Sequence, residues 1–176
     1  MSRFLPTVVA AQAMGELGLF SEERKAKLAP MVEKGLSALY GYQHSDGGWG
    51  WWNDDATHPY MTGYVISGLA MARKAGYTIS EQVLRRGIDS AESQLRQLVP
   101  EPPSPGEDTD TRVYLAWALA VAGKPPLADL EALSTRPNLS TYSVALLALA
   151  WQDSGQPSRA LPLVEELERR AKPAGL

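Results

Sequence analysis

The chain has 176 residues, 17 Lys and Arg against 20 Asp and Glu for a net charge of −3, no Cys, two His, five Trp and only two Phe. That length suits one domain able to bury about two-thirds of its unfolded surface, and the mild acidity argues against a phosphate-neutralising stripe, so nucleic acid is not an expected partner. Without Cys there are no disulfides, thiolate zinc sites or cysteine nucleophiles, and no cofactor or metal site is expected.

Sustained period-two alternation is absent, and helical patterns recur eight times along the chain. The first predicted helix runs from Arg3 to Leu17 with Ser2 as N-cap. A second opens after Ser21, takes Glu22 and Glu23 into its first turn, and continues past a kink expected at Pro30 to about Tyr42. After a loop from Gln43 to His58, a third begins with Pro59 and stops at Gly76. The fourth starts at the Ser80 cap and ends before Pro100. The stretch Pro100–Glu107 cannot propagate a helix, since each Pro lacks a donor and restricts its predecessor, and it reads as a surface linker inside a single domain spanning residues 1–176. Beyond it come helices near Thr109–Ala122, Leu127–Leu133, Ser140–Asp153 and Ser158–Ala171. No apolar run reaches the roughly 18 residues that span a bilayer. The start, Met1-Ser2-Arg3-Phe4-Leu5-Pro6, lacks the plan of a signal peptide, so a cytosolic protein and a piece of a longer one both remain open.

The helices alternate in kind. Thr7–Ala11, Tyr64–Ala72, Val113–Val121 and Val144–Trp151 are apolar nearly all round and must be covered on most sides, whereas Glu81–Ile88 and Val164–Arg170 are amphipathic and can face water. Tyr64, Tyr114 and Tyr142 each stand five residues before a Leu, at Leu69, Leu119 and Leu147. The pattern is a helical-hairpin repeat with small residues on the inner helix. An open solenoid and an α/α toroid both satisfy it, and the Ala-rich inner helices favour the toroid.

The densest chemical feature is the loop Gln43-His44-Ser45-Asp46-Gly47-Gly48-Trp49-Gly50-Trp51-Trp52. Asp46-Gly47-Gly48 is a turn signal, and Trp49, Trp51 and Trp52 supply large apolar surface with an N–H each. A structural plug between hairpins is the first reading, and a stacking platform for sugar or a hydrocarbon ligand is the second. Glu107, Asp108 and Asp110 precede or open a helix, where carboxylates favour the dipole over any acid-base or metal role. His44 beside the Gly turn and His58 before Pro59 read first as loop residues, each with a lesser reading as ligand or base. No third partner for a nucleophilic triad can be named.

The ordered features resemble the thioester-containing domain of the alpha-2-macroglobulin and complement family, above all its bacterial branch. There a Cys-x-Glu-Gln-Thr motif runs into a segment like Met1–Pro6, a helical hairpin follows, then a loop like Tyr42–Trp52, then a helix like Thr62-Gly63-Tyr64-Val65. The resemblance implies an α/α toroid of the terpenoid-cyclase type and an extracellular or periplasmic parent that traps proteases. In such parents a Cys thiolate and a Gln side chain form a buried acyl thioester that a nucleophile attacks once proteolysis exposes it. This sequence begins past that motif and has no Cys, so it reads as a non-catalytic helical fragment and a partial toroid. Its implied partners are the parent's other domains, target proteases through the parent, and further copies of itself through exposed inner-helix edges.

Two rivals stand beside this reading. A terpene-cyclase-like or prenyltransferase-like toroid would use the Asp46–Trp49 loop and Asp108-Thr109-Asp110-Thr111, but the zinc site of such prenyltransferases includes a Cys and a cyclase acid motif wants an Asp where Thr111 stands. A free-standing helical-repeat binding module is the other.

Overall fold

The computed structural model describes residues 8–10, 22–98 and 107–171, and every described element is helical. Most of the first expected helix, with Met1–Pro6, lies outside the described residues, although Val8, Val9 and Ala10 are helical. The expected linker lies outside them too, apart from Glu107, which opens a helix.

Two compact units divide the chain, Met1–Ser90 and Ala91–Leu176. The first holds α1 (Glu22–Gly41), α2 (Pro59–Lys74) and the first half of α3 (Glu81–Gln97). The second holds the rest of α3, then α4 (Glu107–Val121), α5 (Leu127–Ser134), α6 (Thr141–Asp153) and α7 (Pro157–Ala171).

In the first unit α1 runs unbroken through Pro30 and buries Val32, Leu36 and Leu39, one stripe at helical spacing. Helix α2 opens with Pro59, whose missing N–H costs nothing in the first turn, and His58 caps it by accepting the Tyr60 N–H. It is buried almost all round, from Met61 to Ala72, as expected of an inner helix. Tyr40 ties α1 to the start of α3, its hydroxyl accepting the Ser80 N–H at 2.9 Å.

In the second unit α4 packs against α5 and α6, and α6 against α5 and α7. Val113, Leu115, Ala116, Ala118 and Leu119 of α4 and Leu147 and Ala150 of α6 are fully enclosed. Small side chains let the two inner helices approach, which is the physical content of the Ala-rich pattern. Trp151 fills the outer side: its indole N–H donates to Ser134 Oγ at 3.0 Å, and the Arg159 guanidinium lies 4.8 Å from its ring centroid.

Among the described residues the inner helices α2, α4 and α6 end alike. After α2, α4 and α6 a Gly at positive φ (Gly76, Gly123, Gly155) occupies the left-handed position past the cap. The next N–H then reaches back to Ala72, Leu119 and Trp151 respectively, at 2.9 to 3.0 Å. These are Schellman closures, in which Gly satisfies carbonyls that a helix end leaves orphaned. The repeat is therefore carried by the stops as well as by the Tyr-to-Leu spacing.

Asp110 sits in the first turn of α4, where a carboxylate suits the helix dipole. It also accepts from the hydroxyls of Ser140 and Ser143, both at 2.6 Å, and so clasps the N-terminal end of α6. Arg112, two residues on, is 8% exposed and has only Asp129, at 3.6 Å, as an ion-pair partner among the described residues. Burial lowers its pKa, and the nearby Arg136 charge lowers it further against the opposing pull of Asp129.

Candidate functional site

The loop between α1 and α2 is built on a tight turn. The Gly47 N–H returns to the His44 carbonyl at 3.0 Å, and the His44 N–H donates to the Gly48 carbonyl at 2.9 Å. Gly47 has φ +87, a conformation that L side chains rarely adopt. Asp46 completes the turn by accepting the Gly48 N–H at 3.0 Å and the Thr57 hydroxyl at 2.9 Å.

Helix α3 anchors this turn from outside. The Gln43 side-chain amide donates to the Gly47 and Val83 carbonyls, both at 2.9 Å. The Arg86 guanidinium donates to the carbonyls of His44 and Ser45 at 2.9 and 3.1 Å. Gln43 and Val83 are 40 residues apart in sequence, so no local pattern could announce the contact.

The three tryptophans part company. Trp49 is 2% exposed: its indole N–H donates to the Leu39 carbonyl at 2.8 Å and its backbone N–H to Thr62 Oγ1 at 3.1 Å. A Cβ on Gly87 of α3 would meet the Trp49 ring at 2.7 Å, so the ring packs where that helix has no side chain. Trp51 and Trp52 instead face solvent, 54% and 80% exposed. The Trp51 N–H donates to Asp55 Oδ2 at 2.8 Å, which closes a second small turn.

Both ring nitrogens of His44 and Nδ1 of His58 have partners. His44 Nδ1 stands 2.9 Å from Thr57 Oγ1, and Nε2 stands 3.3 Å from the Trp52 carbonyl and 3.9 Å from Asp55 Oδ1. His58 Nδ1 accepts the Tyr60 N–H at 3.2 Å as the cap of α2, and its ring lies 5.6 Å from that of Trp51. Among the described residues no group of three or more His, Asp and Glu is placed to hold a metal ion, and no helix is long and apolar enough to cross a membrane.

The A-macroglobulin TED domain model, the thioester-containing domain, matches residues 1–95, a span that includes this whole loop. The chain belongs to the A-macroglobulin TED domain family. A curated relative, the alpha-2-macroglobulin of Thermotoga maritima, is 46% identical over 89 residues, which is 51% of this chain and 5% of that protein. Solved structures show the same fold. Salmonella alpha-2-macroglobulin, as the mutant Y1175G, superposes over 98% of this chain and 12% of its own, with a TM-score of 0.72 at 21% identity. Trypsin-activated alpha-2-macroglobulin from Escherichia coli does so over 94% and 12%, with a TM-score of 0.69 at 23% identity. The TED fold is thus all-α, of the α/α-toroid type, and the chain spans a small part of the relatives it matches.

Within this TED-family loop the signal that escaped the sequence reading is the group Thr57, Thr62, Arg86 and Gly87. Gly87 leaves a trace as an isolated Gly inside a helical pattern, and Thr62 only as part of the Thr62-Gly63-Tyr64-Val65 segment, with no sign of its bond to Trp49.

One pH effect follows from Asp46. Burial pushes its carboxyl upward, but the hydrogen bonds from Thr57 and Gly48, with the His44 charge, outweigh that and hold it below the ordinary carboxylate range. A carboxyl lowered in the folded state stabilises above its unfolded pKa and loses that contribution as pH falls through the folded one. Thermal unfolding should therefore show an acid-dependent loss below about pH 4, and Asp46→Asn should be less stable at neutral pH with a smaller acid loss.

Proposed function

We propose that the chain is the non-catalytic helical framework of a thioester domain in a bacterial alpha-2-macroglobulin-like protease trap, working outside the cytoplasm as part of a larger protein. The observation that carries this reading is the family match over residues 1–95, joined by 46% identity over 89 residues to a bacterial alpha-2-macroglobulin. Residues 1–176 contain no Cys, so they supply walls for a thioester and not the bond itself. In that role Gln43, Asp46, Gly47, Gly48 and Trp49 are structural, and His44, through both ring nitrogens, and His58, through Nδ1, hold the loop. The partners are the remaining domains of the parent and, through it, target proteases. Structures titled as trypsin-activated, for Escherichia coli, and as reacted with methylamine, for Salmonella, belong to proteins of this fold and suit such a role.

The test is to express the chain together with the sequence encoded upstream of Met1. The longer protein should carry an in-frame Cys-x-Glu-Gln motif, form a covalent adduct with an added protease, and lose that ability after methylamine treatment. Turnover of a polyprenyl diphosphate by the 176-residue chain alone, or a parent that neither conjugates nor restrains a protease, would overturn the reading.

A further inference from the structure

A protease takes its substrate as an extended strand, so nicking falls on exposed connections, and a bond inside a helix is reached only when that helix opens. For an enzyme that cuts after Lys or Arg, the vulnerable bonds are therefore those of the basic residues that stand between helices. Residues 42–58, 75–80 and 154–156 join helices and contain neither Lys nor Arg. Of the Lys and Arg in the described residues, only Lys124, between α4 and α5, and Arg136, between α5 and α6, lie outside the helices.

Both are followed by proline, as Lys124-Pro125 and Arg136-Pro137. With 13 Pro in 176 residues, a given residue is followed by Pro about one time in fourteen, so composition does not account for two in two. The pair recurs in the sequence at Lys172-Pro173. Helix starts do not account for it either, since Pro126 already occupies the N-cap of α5 and Pro137 stands three residues before the Ser140 cap of α6.

Proline at that position protects the bond chemically. A serine protease must protonate the leaving nitrogen through its catalytic imidazole. In a bond to proline that nitrogen carries the ring carbon where other residues carry hydrogen, so the ring crowds the imidazole. The protection is confined to basic residues. Trp52, 80% exposed, is followed by Asn53 and not by proline. Lys124 is exposed, whereas the Arg136 guanidinium is held on Thr109 Oγ1 at 3.0 Å, which makes Lys124 the more vulnerable of the two.

We propose that the connections of this chain are proofed against proteases that cut after Lys or Arg, with Pro125 and Pro137 as the protecting residues. The property goes beyond the role proposed above, and its test needs neither the parent protein nor a thioester.

The full 176-residue chain is treated with trypsin and the fragments are mapped by mass. The wild type should not be cut after Lys124 or Arg136. Pro125→Ala should be cut after Lys124 faster by about a hundredfold or more, the size of a general-acid contribution, and Pro137→Ala should be cut after Arg136 more slowly than that. Pro126→Ala alters the same connection but leaves the Lys124-Pro125 bond, so it should resist as the wild type does, which separates loss of protection from loss of fold. A protease that cuts after aromatic residues should open the wild type at Trp51 or Trp52. Cleavage of the wild type after Lys124 or Arg136, resistance of Pro125→Ala, or equal cleavage of Pro126→Ala after Lys124 would overturn the proposal. So would a wild type that the aromatic-specific enzyme leaves whole, since the connections would then resist for reasons other than proline.

Discussion

Replacing Trp49 with alanine is expected to lower the unfolding free energy by about 4 kcal/mol, the middle of the range for deleting a buried aromatic. The ring is 2% exposed and lies on the bare face of α3 at Gly87, so its removal leaves a void that neighbouring side chains can fill only by moving helices. A second loss adds to the first. Leu39 lies in the last turn of α1, whose carbonyls have no onward helical partner, and the Trp49 indole N–H satisfies that of Leu39 at 2.8 Å. Trp49→Phe keeps most of the volume and removes only this donor, so it should cost about 1–2 kcal/mol. Urea unfolding followed by far-UV circular dichroism separates the two variants. Alanine and phenylalanine costing the same, or alanine costing less than about 1 kcal/mol, would mean that the ring does not support the core. Set against a total stability of roughly 5–15 kcal/mol, that loss is a quarter or more of the whole.

The second large effect is expected at Gly47. Its φ of +87 strains any L residue, and a Cβ there would be driven into the main-chain carbonyl of Arg86, which sits on α3 and cannot swing aside. Gly47→Ala should cost about 3 kcal/mol, combining backbone strain with displacement of the turn from α3. Gly123 offers a matched control: it has the same φ, +87, but nothing lies within 4 Å of its Cβ position. Gly123→Ala should therefore cost only about 1 kcal/mol. The difference between the two isolates the collision. Amide exchange adds a local readout, since the His44 N–H, bonded to Gly48, should lose protection in Gly47→Ala and keep it in Gly123→Ala. Equal costs at the two positions would mean that the turn is not held against α3.

Much of the fold was legible because helix boundaries are written in local chemistry. Pro59 marks the start of α2, Ser140 the start of α6, and Gly76, Gly123 and Gly155 the stops of the three inner helices. The division into inner and outer helices was equally readable, since a helix apolar on every side has to be covered. Helix α1 runs on through Pro30 as expected, the exposed ring removing one donor without ending the helix. The loop was legible as a turn with aromatic content but not as a set of separate roles. Trp49, Trp51 and Trp52 stand within four residues and look alike in sequence, yet one is sealed and two face solvent. What divides them is the empty face of Gly87 and the buried hydroxyl of Thr62, and neither is near them in the chain.

By itself, then, the sequence determined an all-helical chain of repeating hairpins, the ends of its helices, and a resemblance to a thioester-domain family that the family match bears out. Those properties depend on residues within a few positions of one another, where period, cap and stop residues act directly. Tertiary structure alone decided which aromatics are core and which are surface, that His44 holds the loop through Thr57 and the Trp52 carbonyl, and that Asp110 clasps the start of α6. Each of those outcomes depends on groups brought together across many residues. Whether a ring is buried or a carboxylate is engaged is set by what the fold places opposite it.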